Sequence, residues 1–124
     1  MAPVADNPMV SGLMKTAASS VAIGTLVTVS AGEITANSNG INAVAASDID
    51  TAIGVIVFRD SLYDYIQTDG YIPASRIGLS SLSVGDYITV DGNMKLTDGG
   101  TAANAVGVVK YTDNDDAQIL LRRF

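Results

Sequence analysis

Two stretches of this chain follow the same pattern of strands and turns. The first contains residues 24–29 (GTLVTV) and later residues 52–57 (AIGVIV), and the second contains residues 85–90 (GDYITV) and later residues 105–109 (AVGVV). In both, β-branched residues fill alternate positions, as in a half-buried strand, and glycines mark the turns. The repeat predicts a small all-β domain, a barrel-like fold or a sandwich, built from two similar β-units.

Composition supports sheet over helix and offers little for catalysis. The chain has 124 residues, enough for one domain with its own core. It contains no Cys, so it has no disulfide and no thiolate metal site, and no His, the commonest general base in enzymes. We therefore expect no catalytic residues, no metal, no cofactor and no enzymatic activity.

The charge balance narrows the set of partners. Seven basic residues against thirteen acids give a formal charge of −6. A nucleic-acid partner is not expected, because phosphate binding needs a Lys/Arg-rich surface. The longest apolar run, residues 52–58, is too short to span a bilayer, so no membrane partner is expected. The absence of Cys fits synthesis in a reducing cytoplasm.

The pattern divides the chain into an arm and a body. Residues 1–16 have no strand or helix period, and residues 17–124 read as a single β-domain. Within that domain the units cover about residues 20–60 and 80–121, and a Tyr-rich connector joins them. The arm is either a frayed terminus or a segment that orders on another subunit, since it is richer in apolar residues than a disordered tail.

Candidate contact residues lie in the arm and in the connector. The arm supplies the apolar side chains Val4, Met9, Val10, Leu13 and Met14, and the connector supplies Tyr63, Tyr65, Tyr71 and Arg76. The tyrosines have two interpretations: a small satellite core with hydroxyls at its rim, or a contact patch, because Tyr and Arg are enriched at interface anchors.

An acidic cluster near the C-terminus invites a calcium interpretation. Asp113, Asp115 and Asp116 are close in sequence, and hard cations take clustered carboxylates. The EF-hand spacing fails, however, because its sixth and twelfth positions fall on Gln118 and Phe124. A solvated hairpin turn is the favoured interpretation.

The repeated residues resemble the small head decoration, or cement, proteins of tailed bacteriophages. The resemblance rests on residues 85–90 (GDYITV), Gly92, residues 94–96 (MKL), residues 105–109 (AVGVV) and residues 117–121 (AQILL), with residues 25–27 (TLV) and 50–56 (DTAIGVI) in the first copy. It implies a compact, tulip-like β-fold that sits as trimers, or as other oligomers, on the outer surface of a capsid. There it bridges and stabilises neighbouring major capsid proteins.

These expectations define a leading and an alternative function. The leading one is a structural virion protein, made in the host cytoplasm, that binds the major capsid protein through its arm and forms a homo-oligomer, with a trimer favoured. The alternative is a carbohydrate- or surface-binding β-module of a fibre or adhesin, with residues 63–71 as a stacking platform.

Overall fold

The computed structural model describes residues 13–29, 41–44 and 46–122, and these residues form an all-β fold. The described strands are β1 Leu13–Ala17, β2 Leu26–Val29, β3 Ile41–Ala43, β4 Gly54–Arg59, β5 Tyr63–Gln67, β6 Gly70–Pro73, β7 Tyr87–Val90, β8 Leu96–Asp98, β9 Gly107–Asp113 and β10 Asp116–Leu121. Two short 3₁₀ turns, Ala46–Thr51 and Ala74–Ile77, connect them. No helix in the described ranges is long and apolar enough to cross a bilayer.

The strands form two antiparallel five-stranded sheets with the same topology. The first sheet has the order β1-β5-β4-β2-β3, and the second has the order β6-β10-β9-β7-β8. Each strand of the first sheet therefore has a counterpart five strands later in the chain. We call β1–β5 repeat 1 and β6–β10 repeat 2. The duplication seen in the sequence is thus a duplication of a complete sheet.

Equivalent hydrogen bonds set the register of the two repeats. The Gly24 N–H donates to Ile56 O (2.7 Å), as the Gly85 N–H does to Val109 O (2.8 Å). The Ile56 N–H donates to Thr25 O (3.2 Å), as the Val109 N–H does to Asp86 O (2.9 Å). The Ile53 N–H donates to Val27 O, as the Val106 N–H does to Ile88 O (both 2.8 Å). A side-chain bond recurs as well, from Thr28 Oγ1 to Thr51 O and from Thr89 Oγ1 to Asn104 O. This register matches the alignment of the two sequence patterns.

A β-bulge also occurs at the same place in each repeat. In repeat 1, Ile56 pairs with Ile66 and Phe58 with Tyr65, which leaves Val57 as the extra residue. In repeat 2, Val109 pairs with Ile119 and Tyr111 with Gln118, which leaves Lys110 as the extra residue. Because a bulge redirects the side chains that follow it, both repeats turn an aromatic residue outward here, Phe58 in one and Tyr111 in the other.

The repeat boundaries differ from those that the sequence pattern predicted. The stretch from Asp60 to Ser83 was predicted to be a connector, but it contains β5, which completes the first sheet, and β6, which begins the second. Leu13–Ala17, which overlaps the end of the predicted arm, pairs with β5 along its whole length. The polar and tyrosine-rich composition hid these strands, because both lie at or next to a sheet edge.

The core forms where the two sheets stack. Leu26, Val55 and Val57 of the first sheet join one buried cluster with inward-facing residues of the second, including Ile88 and Ile119. The opposite face of the first sheet buries Val27, Ile56 and Ile66 under Val21, Ile23 and Ile53. The predicted strand at residues 52–58 is thus buried on both faces at its centre.

The hairpin turn predicted at the acidic cluster of repeat 2 is confirmed. Asn114 and Asp115 form the two-residue turn between β9 and β10, with φ of 53° and 64°, as required by the turn that suits a twisted hairpin. Between β7 and β8, Asp91 Oδ1 accepts hydrogen bonds from the N–H groups of Asn93 and Lys95. Such turns can be predicted from sequence, because they depend on the conformations and hydrogen bonds of neighbouring residues.

Candidate functional site

Apolar and aromatic side chains lie open to solvent on the first sheet. Leu13, Phe58, Tyr65 and Arg76 line a groove of about 410 Å³ with Val57 at its base. We call these four lining residues the aromatic patch. Phe58 is 54% exposed and Leu13 is 42% exposed, although both are large apolar side chains. Large apolar groups clustered at the surface and edged by polar residues mark interaction sites more often than isolated ones do.

The bulge in β4 creates this patch. It lets Val57 reach the core while Phe58 pairs with Tyr65 on β5. The two rings pack with centroids 5.4 Å apart and planes tilted by 49°, a geometry that aromatic pairs favour. Phe58 is therefore held by a neighbouring ring and not left free to rotate in solvent.

Asp60 fixes the turn beside the patch. Its Oδ1 accepts the N–H groups of Leu62 (2.9 Å) and Tyr63 (2.7 Å), and its Oδ2 accepts the hydroxyl of Tyr65 (2.9 Å). The two backbone hydrogen bonds are the main reason why the pKa of Asp60 lies below 3.8. The hydrogen bond to Asp60 is in turn the main reason why the pKa of Tyr65 is raised above 10.0.

Cations border the aromatic side chains. The Lys15 ammonium lies 4.5 Å from the centre of the Tyr63 ring, within the range of a cation–π contact. Arg76 extends from the 3₁₀ turn Ala74–Ile77 to line the groove. The patch thus combines apolar area with positive charge, in a chain whose formal charge is −6.

A buried ion pair anchors the other side of β5. Asp64 is 0% exposed and lies 2.5 Å from Arg59 Nε. Its Oδ2 also accepts the Ser19 hydroxyl (2.5 Å) and the Ser19 N–H (3.1 Å), while Arg59 Nη2 donates to the Val21 carbonyl. The network ties the segment before β2 onto the first sheet, above the cluster of Val27.

The pKa of Asp64 reflects two opposing effects. Burial raises it, but the hydrogen bonds from Arg59 and Ser19 and the charge of Arg59 outweigh burial and hold the pKa below 3.8. A carboxyl group whose pKa is lowered on folding stabilises the fold at neutral pH and loses that contribution on protonation. Asp116 behaves similarly, because its carboxylate accepts the hydroxyl and the N–H of Ser75.

These shifts predict a pH profile of stability. The free energy of unfolding should be level from about pH 5 to about pH 9 and fall below about pH 4, as the lowered carboxyl groups Asp60, Asp64 and Asp116 protonate. It should fall again above about pH 10, because the raised pKa of Tyr65 favours its protonated form. Urea unfolding followed by circular dichroism at each pH measures this profile. Stability that rises toward pH 3 would contradict the assignment.

The structure separates the contact residues predicted from sequence. Leu13, Tyr65 and Arg76 meet in the aromatic patch, and Tyr63 lies next to it on β5. Met14 is exposed, but it lies next to Leu13 on β1 and so faces the opposite side of the sheet. Tyr71 belongs to β6 of the other sheet. Val4, Met9 and Val10 lie outside the described residues.

The tyrosines that the sequence predicted to form one cluster belong to two separate aromatic pairs. Tyr71 packs edge-on against Tyr111, with ring centroids 5.3 Å apart, and Tyr65 packs against Phe58. Phe58 was not among the contact residues predicted from sequence, because it ends an apolar run typical of a buried strand. The repeat was the signal that could have found it, since Phe58 stands where repeat 2 has the polar-edged Tyr111.

The acidic cluster forms a turn in the structure. Asp113 and Asp116 pair at the ends of β9 and β10, with Asp115 in the turn between them. Asp116 is held by Ser75. Within residues 13–29, 41–44 and 46–122, no group of three or more His, Cys, Asp or Glu side chains is arranged to hold a metal ion.

Comparison with known proteins gives no relative. No family model, no curated protein and no solved structure matches the chain.

Proposed function

We propose that this chain is a structural virion protein, a decoration subunit that binds the outside of a phage capsid and stabilises the shell of the major capsid protein. The observation that supports it is the exposed aromatic patch, which includes the first residue of β1. The leader, residues 1–12, therefore joins the body beside the patch. We assign capsid attachment to the leader and the patch together.

The patch has the properties of an interface anchor. Phe58 is held by Tyr65, and Tyr65 is held in turn by Asp60. Because these side chains are already ordered, binding loses less conformational entropy than it would with mobile ones. Aromatic residues and Arg in a partly desolvated setting are also the residue types that dominate binding energy.

The charge of the patch indicates the partner chemistry. Lys15 and Arg76 give it a positive border, so the favoured partner element presents an apolar side chain with a carboxylate nearby. A capsid presents each element of its surface many times. Subunits that each bind through a modest area can then reinforce a shell, since many contacts must break together, and oligomers add avidity.

A carbohydrate-binding β-module of a fibre or adhesin is the second candidate. It is favoured by the exposed Tyr111 ring, which packs against Tyr71 and could stack on a sugar face. Glycan-array binding by the isolated chain, lost in Tyr111→Ser, would support this candidate over the capsid one.

Replacing Phe58 with serine tests the capsid proposal. We expect Phe58→Ser to weaken attachment to capsid shells at least about tenfold, because it removes the central apolar anchor. Stability should change little, since more than half of the side chain is already exposed. Co-sedimentation with shells of the major capsid protein measures attachment, and thermal unfolding measures stability.

The matched control removes apolar area elsewhere. Val84→Ser changes an exposed apolar residue in the turn before β7, away from the patch, and should attach like the wild type.

Deleting residues 1–12 should leave the body folded, because β1 begins at Leu13, and should abolish attachment. Attachment unchanged in both Phe58→Ser and the deletion would refute a binding surface made of patch and leader.

A further inference from the structure

A row of side chains crosses each sheet on the same face. In repeat 1 the cross-strand pairs run from Leu26 to Val55, from Val55 to Gln67 and from Gln67 to Leu13. The equivalent row of repeat 2 is Tyr87, Val108, Leu120 and Tyr71. The two rows occupy matching positions in matching sheets, so their environments can be compared directly.

The two rows differ in their exposure to solvent. Leu26 and Val55 are 0% exposed, because the inner face of the second sheet packs on them. In repeat 2, Tyr87 is 39% exposed and Val108 and Leu120 are only partly buried. The two sheets therefore stack front to back. The face that repeat 1 buries against repeat 2 corresponds to the face that repeat 2 leaves open to solvent.

The open face contains an apolar groove. Tyr87, Val108 and Leu120 line a groove of about 260 Å³ together with Ala105, and Lys110 and Arg122 stand at its sides. We call this the outer groove. Its floor is the outer face of the sheet, where Val108 and Leu120 pair across β9 and β10. Sheet faces of this kind pack well against another sheet.

We propose that the outer groove is the contact surface for a second copy of this chain. Repeat 1 supplies the template, because the second sheet of this same chain covers Leu26 and Val55, the residues that correspond to Tyr87 and Val108. Charge supports the choice: Lys110 borders the groove, whereas the chain as a whole carries −6, so the acidic surface of another copy is attracted to this border. This contact is separate from the aromatic patch and holds whether or not a capsid is the partner.

The test uses the repeat itself to choose a substitution that the fold accepts. Leu120→Gln puts at this position the residue that repeat 1 has at Gln67, and Val108→Thr keeps a β-branched shape. We expect the wild-type chain to sediment as an oligomer of its 12.7 kDa subunit. The double variant should raise the apparent dissociation constant at least about tenfold. The control Leu62→Gln makes the same chemical change at an exposed turn residue and should leave association unchanged.

A second measurement does not depend on a destabilising change. The chain has no Cys, so Tyr87→Cys introduces a single thiol in the outer groove and Leu62→Cys a single thiol outside it. Maleimide labelling of Tyr87→Cys should slow as protein concentration rises, while labelling of Leu62→Cys should stay constant. A wild-type chain that remains monomeric at high concentration, or association with equal labelling at both thiols, would overturn the proposal.

Discussion

Asp64→Ala is expected to lower the free energy of unfolding by about 3–5 kcal/mol, because it leaves a desolvated charge without its partner. The carboxylate is 0% exposed and accepts hydrogen bonds from Arg59 and Ser19. Truncation strands the guanidinium of Arg59, which is itself only 25% exposed, and the N–H of Ser19. It also releases the segment that covers Val27. Urea unfolding at neutral pH measures the loss.

Two variants show whether the charge or the shape of Asp64 matters. Asp64→Asn keeps the size of the side chain but removes its charge, so it should fall between the wild type and Asp64→Ala. Asp98→Ala removes an exposed carboxylate whose bond is to the adjacent Gly99 N–H and should stay within about 0.5 kcal/mol of the wild type. Equal unfolding midpoints for Asp64→Ala and Asp98→Ala would contradict the role of the ion pair.

Gly54→Ala is the second change with a large expected effect, about 3 kcal/mol of destabilisation. A Cβ at this position would lie 2.4 Å from the carbonyl oxygen of Gln67 and 2.9 Å from Cγ2 of Ile66. The first contact is with the backbone of the neighbouring strand β5, which cannot move away without breaking its pairing to β4. The strands must separate locally, and the buried residues around Ile66 lose their packing.

The repeat provides a graded comparison for this substitution. At the equivalent Gly107 an added Cβ meets Ile119 Cγ2 at 2.9 Å and the Leu120 carbonyl oxygen at 3.1 Å, so Gly107→Ala should cost less, about 1–3 kcal/mol. At Gly92 a Cβ meets nothing within 4 Å, so Gly92→Ala should be close to neutral. The melting temperature should be lowest for Gly54→Ala, intermediate for Gly107→Ala and highest for Gly92→Ala. Any other order would count against the close approach of the strands.

The sequence predicted those parts of the fold that local chemistry determines. Turn residues such as Asn114 and Asp115 and alternating β-branched residues located the hairpins of repeat 2, and the paired glycines Gly54 and Gly107 aligned the repeats correctly. These features act within a few residues, so their signal is present in any single sequence.

The remaining parts depend on contacts distant in sequence. In β5 the alternation of Tyr63, Asp64 and Tyr65 suggests that the acid faces solvent, yet Asp64 is buried because Arg59 and Ser19 satisfy it. The exposure of Phe58 follows from a bulge that the run of apolar residues does not signal. For these reasons the sequence prediction placed no strands in the connector, and it omitted Phe58, one of the four residues of the aromatic patch.

The most direct test of the proposed function is titration of capsid shells with the purified wild-type chain, followed by sedimentation. The shells for this test are assembled from a major capsid protein encoded in the same genome as the chain. The account predicts saturable binding at a fixed ratio of chain to capsid protein, together with greater resistance of decorated shells to heat. A chain that stays in the supernatant at every concentration tested would contradict it.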